Sequence, residues 1–167
     1  MVLVGDECRI EVESGIKKIW YEKGRYPEIR TEMEKKAVSF YGALNVKEGR
    51  CHALKFAKQN TDATIKYLAW LEDLYAGKEV LLIWDGAPWH RSKGVKEHLA
   101  RKDRGCWLEL MNFPPYWPEL NPQERVWKEG RRHVSHNHEG HLEQKAREFH
   151  RFLNTHKFAT NFLAKYA

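Results

Sequence analysis

A chain of 167 residues, 42% of them hydrophobic and 31% charged, is long enough for one domain with a real core and too apolar to stay disordered. No apolar run approaches the roughly 20 residues of a membrane-spanning helix. The N-terminus MVLVGDECRIE lacks the basic, apolar, small-residue order of a signal peptide, so a cytoplasmic compartment is expected and a membrane is not. The net charge of +6 is concentrated at one end: from Arg125 onward there are nine Lys/Arg against four Asp/Glu, a net of +5, which leaves +1 for residues 1–124. Such a segment beside acidic groups suits a polyanionic partner, although a solvated helical face has the same composition. Cys8, Cys51 and Cys106 are odd in number and far apart, and read as small buried hydrophobes rather than disulfides or metal ligands.

Along the chain, residues 2–12 alternate, with Val2, Val4, Asp6, Cys8, Ile10 and Val12 on one parity and Glu7, Arg9 and Glu11 on the other. This predicts a half-buried strand with Asp6 pointing toward the core. A turn at Gly15, a short segment 17–20 and a loop 24–28 follow. Residues 37–46 and 50–57 are β-rich runs joined by Lys47-Glu48-Gly49, a hairpin signal. Thr61 or Asp62 is expected to cap a helix that carries Ile65, Leu68, Leu71 and Leu74 and stops at Gly77. The continuous apolar run 80–84 predicts a parallel strand covered on both faces. Ser92 opens a second helix through about Arg101, residues 106–111 form a further strand, and the chain past Leu120 is expected to be helical with a break around 135–140. Together these elements predict a mixed α/β sheet.

Three acids stand where such a sheet can use them. Asp85 closes the apolar strand LLIWD, where open α/β sheets place their ligand crevices. Glu124 follows the Pro-rich stretch 113–127, FPPYWPELNPQERVW, and Asp6 lies on the first strand, where Glu7 competes for the same role. Mg²⁺ takes oxygen ligands and usually only a few carboxylates. Two such ions roughly 3.5–4 Å apart can activate a water and steady the departing oxygen at phosphorus. Each acid alone also has an ordinary structural reading, as an Asx-turn, a strand-end charge or a surface helix acid. The joint pattern favours a phosphodiester site.

The segments WDGAPWH and NFPPYWPELNPQERVW resemble the second and third blocks of the catalytic domain of mariner-like DNA transposases and their prokaryotic insertion-sequence relatives, in the retroviral-integrase superfamily. Pro114, Pro115, Tyr116, Pro118, Leu120, Asn121, Pro122, Glu124 and Trp127 fall on that family's pattern, and Phe113 stands in for a Leu. The block around Asp6-Glu7, with Trp20 and Gly24 downstream, resembles the family's first motif, and Gly42-Ala43-Leu44 is similar as well. Gly86 departs from the Asn usually found after the second acid, and Trp117 from a small residue. The resemblance implies a single ribonuclease H-like domain over 1–167. Its mixed sheet would have three antiparallel strands, then two parallel strands alternating with helices, flanked by further helices. It also implies that Asp6, Asp85 and Glu124 are the catalytic acids and bind two Mg²⁺ or Mn²⁺ ions. The activity implied is DNA cleavage at transposon ends, with strand transfer by the freed 3′-OH and no covalent enzyme intermediate.

The partners implied are double-stranded DNA at transposon ends and target, a second copy in the active complex, and a separate DNA-binding chain, in the nucleoid. The family's N-terminal helix-turn-helix region is expected to be absent, because the chain begins almost at its first catalytic strand. His90 matches the family's His and is expected to contact phosphate or orient a ligand, alongside a structural alternative. Arg125, Lys128, Arg131 and Arg132 recur at near-helical spacing and are expected to contact phosphates. Trp89 and Trp117 are expected to be buried against turns rather than stacked on bases. His133, His136, His138 and His141 lie across a helix break, which disfavours a zinc site. Two other classes stay open: a non-catalytic DNA-binding remnant, and a cellular nuclease of the same fold.

Overall fold

Burial on both sides of the first strand decides how the rest of the chain packs. The computed structural model describes residues 1–11, 36–101, 103, 105–114, 121–135 and 142–160. The expected Gly15 turn, the 17–20 segment and the 24–28 loop lie outside them, as do Trp20, Gly24, Trp117 and three of the clustered histidines, His136, His138 and His141. β1 (Val2–Glu11) pairs antiparallel with β2 (Ala37–Asn45), which pairs antiparallel with β3 (Arg50–Phe56). On its other edge β1 runs parallel to β4 (Glu79–Trp84), and β4 parallel to β5 (Trp107–Asn112), giving the order β3-β2-β1-β4-β5. Three antiparallel strands followed by two parallel ones is the arrangement expected from the sequence.

Alternation predicts one covered face for β1, yet Leu3, Val4 and Gly5 are all buried. A strand with neighbours on both edges and helices over both faces is covered all round. The alternation survives only toward its end, where Arg9 and Glu11 reach solvent between buried Cys8 and Ile10. One layer of core joins Leu3, Tyr41, Leu82 and Leu108 to Tyr67, Leu68 and Leu71 of α1 (Thr61–Leu74) and to Val95 of α2 (Lys93–Leu99). The opposite layer joins Cys8, Phe40, Leu44 and Cys51 to Trp127 of α3 (Gln123–Val134) and to Phe149 and Leu153 of α4 (Leu142–Thr155). Phe40 meets Phe149 edge-on at 4.9 Å. Burying each such side chain contributes about 1.5–3 kcal/mol. The three cysteines are buried and free, as the sequence predicts.

α1 begins one residue earlier than expected, because Asn60 rather than Thr61 or Asp62 caps it, its side chain accepting from Ala63 N–H at 2.9 Å. Its buried face is Ala63, Thr64, Tyr67, Leu68, Leu71 and Glu72, while Leu74 is exposed. Nine residues at about 100° each put Ile65 and Leu74 on opposite sides of the helix, so the three-residue steps could not all face one core. Gly77 ends the helical segment with φ +74, and Gly49 closes the β2–β3 hairpin with φ +70, both in the left-handed region that suits glycine. Among the described residues no helix is long and apolar enough to cross a membrane.

Candidate active site

The parallel ladder between β1 and β4 brings the first two acids side by side. Its last paired residues are Val4 and Ile83, and Asp6 and Asp85 each lie two residues further along. Adjacent strands are about 4.8 Å apart, so both acids stand at neighbouring carboxyl ends of inner strands. The chain returns to this edge through Phe113, whose N–H donates to the Trp84 carbonyl at 2.8 Å. Thus the Pro-rich stretch departs from beside Asp85. Its far end is tied to β1 by Asn121, whose Nδ2 donates to the Gly5 carbonyl at 3.5 Å.

Asn121 also shapes the start of α3. Its Oδ1 accepts from Gln123 N–H at 3.0 Å and its main-chain oxygen from Glu124 N–H at 3.2 Å. Gln123 is wholly buried and donates to the Cys51 sulfur at 3.5 Å, which anchors the first turn to the sheet. Glu124 is exposed in that first turn, where the positive end of the helix dipole favours an acid. One turn on, Trp127 is fully buried and donates its Nε1–H to Asp6 Oδ2 at 3.0 Å. This contact depends on Gly42, since a Cβ there would lie 2.4 Å from the Trp127 ring.

Asp6 and Glu7 therefore point to opposite faces of β1, as the pleat requires. Asp6 faces α3, and its carboxyl is pushed up from the ordinary 3.8 to about 7, first by burial and then by the charge of Glu124. Glu7 faces the other way and is nearly enclosed, its Oε1 accepting from Trp89 Nε1–H at 3.3 Å and from His90 at 2.6 Å. The sequence leaves the two acids as rivals; the structure gives each its own surroundings.

Asp85 is half exposed, and its Oδ1 accepts from Ala87 N–H at 3.1 Å and lies 2.9 Å from His90 Nδ1. The hydrogen bond from His90 lowers its pKa below the usual value. His90 itself is buried, stacked on the Trp84 ring at 3.8 Å with 5° between planes. Nδ1 also reaches the Asp85 carbonyl at 3.0 Å, and an amide oxygen can only accept, so Nδ1 carries a proton. Nε2 faces the Glu7 carboxyl group at 2.6 Å, a contact that favours the protonated ring. Burial lowers its pKa, but hydrogen bonds to Asp85 and Glu7 outweigh that and raise it to about 9.

These positions correct one expectation and extend others. His90 is enclosed with both ring nitrogens engaged, so the phosphate contact expected of it is not open to it. Trp89 is partly buried and serves Glu7, a link that no local pattern announces because 82 residues separate them. Trp127 was part of a motif, but its hydrogen bond to Asp6 spans 121 residues and was invisible in the sequence. Arg125, Lys128, Arg131 and Arg132 are all exposed along α3, opposite its buried Val126, Trp127, Gly130 and Val134. Arg125 also pairs with Glu129 at 3.3 Å. His133 pairs with Glu148 at 3.2 Å and stacks on Phe152.

A divalent cation at this site would be held by oxygens of Asp6, Asp85 and Glu124, although in this structure the ligand atoms of those three do not all lie within 4.8 Å of one another. Among the described residues no cation pairs with Asp6, whose one side-chain donor is Trp127, although Glu124 adds a second negative charge nearby. An oxygen-only donor set with uncompensated charge suits a hard cation such as Mg²⁺ or Mn²⁺. Glu7, Asp85 and His90 are the three potential ligands whose atoms all lie within 4.8 Å of one another among the described residues. In this structure the two ring nitrogens of His90 are turned to the Glu7 and Asp85 carboxylates, so the trio is tied together by its own contacts.

The family described as DDE superfamily endonuclease matches residues 1–146. Uncharacterized protein y4pE/y4sA of Sinorhizobium fredii (strain NBRC 101917 / NGR234) is 34% identical over 89 residues, which are 53% of this chain and 61% of that protein. Among solved structures, the Mos1 strand transfer complex superposes with a TM-score of 0.67 at 18% identity, over 98% of this chain and 49% of that one. The catalytic domain of Mos1 mariner transposase gives 0.58 at 15% identity, over 93% and 70%. The simian T-cell lymphotropic virus intasome, in complex with a PP2A regulatory subunit, gives 0.60 at 12%, over 92% and 48%. This chain thus spans about half the length of the chains in the two complexes. At these identities the likeness is one of fold, and the fold is ribonuclease H-like.

Proposed function

The chain belongs to the DDE superfamily endonucleases, and on that premise we propose that it is a transposase catalytic domain that cuts DNA phosphodiesters with divalent metal. One observation carries the reading: Asp6 and Asp85 close adjacent inner strands, and Glu124 on α3 is near enough to raise Asp6, with no protein cation pairing with Asp6 among the described residues. Asp6, Asp85 and Glu124 are the residues that would hold Mg²⁺ or Mn²⁺. When bound, such ions supply an activated oxygen nucleophile and stabilise the departing oxygen.

The protein's own groups do the positioning. Trp127 holds one oxygen of Asp6, Ala87 N–H donates to one oxygen of Asp85, and the Asn121 turn sets Glu124 in the first turn of α3. Lys128, Arg131 and Arg132, with Arg125, line the exposed side of that helix and attract the phosphate backbone toward the acids. The substrate in this reading is double-stranded DNA at transposon ends, cut by hydrolysis, and the freed 3′-OH then attacks target DNA. Water and a 3′-OH are both oxygen nucleophiles, so one site serves both steps. Two copies, with a separate end-binding chain, would assemble around the paired ends.

Supercoiled plasmid incubated with Mn²⁺ or Mg²⁺ tests this. Nicking should appear with metal and vanish with EDTA, and Asp85→Asn and Glu124→Gln should each lower it by roughly 100-fold or more. Metal-dependent nicking that persists in both variants would sink the site assignment. Retention of DNA without any cleavage would point instead to a binding module.

A further inference from the structure

His90 and Glu7 lie outside the triad of Asp6, Asp85 and Glu124, yet they form an enclosed polar cluster at the site. Their side chains are 0% and 5% exposed. The imidazole is held on every polar atom and on its ring face: Nε2 to Glu7 at 2.6 Å, Nδ1 to Asp85 Oδ1 at 2.9 Å, and the ring on Trp84 at 3.8 Å. Trp89 stands edge-on to it at 6.0 Å and donates to the same Glu7 oxygen. Ala87 N–H completes the set on Asp85 Oδ1. That oxygen accepts from Ala87 N–H and lies 2.9 Å from Nδ1, whose one hydrogen it shares with the Asp85 carbonyl, while no contact to Oδ2 occurs among the described residues.

We infer that Glu7 and His90 are positioning residues that hold back one oxygen of Asp85, so that the carboxylate offers only Oδ2 to a divalent cation and the site favours Mg²⁺ over Ca²⁺. This rests on the proposed function, in which Asp85 is a metal ligand. Mg²⁺ demands near-octahedral geometry, which a carboxylate bound through one oxygen suits. Ca²⁺ takes six to eight oxygens and accepts a carboxylate through both. A freed Asp85 can swing to chelate through both oxygens, which lifts the discrimination against the larger ion. The backbone cannot do this alone, because the Ala87 N–H leaves the carboxylate free to rotate about that one bond.

The test is cation competition on the whole chain, reading released Mn²⁺ by electron paramagnetic resonance while Mg²⁺ or Ca²⁺ is added, with thermal melting alongside. In His90→Asn, Ca²⁺ affinity should rise relative to Mg²⁺ affinity, so that the ratio of the two shifts toward Ca²⁺ by roughly tenfold. Glu7→Gln, which keeps an acceptor for Nε2 but loses the charge, should shift the ratio in the same direction by less. A purely structural role would lower the melting temperature and weaken both cations together, and an unchanged ratio in both variants overturns the inference. Failure of the wild-type chain to bind Mn²⁺ at all, matched by Asp85→Asn, overturns the proposed function with it.

Discussion

Asp6→Asn should stabilise the metal-free protein while destroying its cleavage activity. Burial and the Glu124 charge raise the Asp6 carboxyl from 3.8 to about 7. A raised acid binds its proton more tightly in the folded chain, so its contribution is fully present below pH 3.8 and is lost as the pH rises through about 7. Some three units at about 1.4 kcal/mol each make roughly 4 kcal/mol of penalty for ionising Asp6 in the absence of metal. From pH 5 to pH 8 the wild type therefore loses roughly 3 kcal/mol at this residue. Asparagine keeps an acceptor for Trp127 Nε1–H and carries no charge. Urea unfolding in EDTA at the two pH values measures both numbers. Asp6→Asn should be more stable than wild type by up to about 4 kcal/mol at pH 8, and should lose roughly 3 kcal/mol less than wild type between the two pH values. His90, raised from 6.5 to about 9, has the same sign in a higher window, with its contribution present below pH 6.5 and lost through pH 9. The residual fall above pH 7 in the variant belongs to it. Millimolar Mg²⁺ should stabilise the wild type but not the variant. An Asp6→Asn chain that is less stable at pH 8, or as pH-sensitive as wild type, would refute the placement of Asp6 in an uncompensated acidic site.

Two further outcomes follow from packing and charge. Gly42→Ala places a Cβ 2.4 Å from the Trp127 ring and 2.8 Å from Gln123 Nε2, both wholly buried, so urea unfolding should show a loss of about 1–3 kcal/mol, with cleavage falling as Trp127 shifts off Asp6. Arg131→Ala with Arg132→Ala removes two exposed charges from α3, and filter binding across a salt series should show the slope of log affinity against log salt reduced by roughly two.

Short-range signals carried much of the architecture. The hairpin turn ending at Gly49, the Ser92 cap of α2, the apolar run of β4 and the two C-terminal helices are all where periodicity and turn chemistry put them. Errors arose where a residue's surroundings come from elsewhere. Leu74 looked like a core position of α1 by spacing, and the sheet contacts Tyr67 and Leu71 instead. Asp6 points inward toward α3 as the alternation predicts, but with β2 and β4 on both edges and helices on both faces, Glu7 on the other parity is enclosed too.

By itself the sequence determined the order of strands and helices and the positions of the three acids, because strand alternation, helix caps and turn residues act over a few neighbours. Only the tertiary structure decided what each acid faces. Asp6 meets a tryptophan 121 residues away, Glu7 a histidine 83 residues away, and Asp85 shares that histidine. Those meetings depend on strand order and on which helix covers which face of the sheet. Burial and charge across them, rather than residue type, raise one aspartate and lower another.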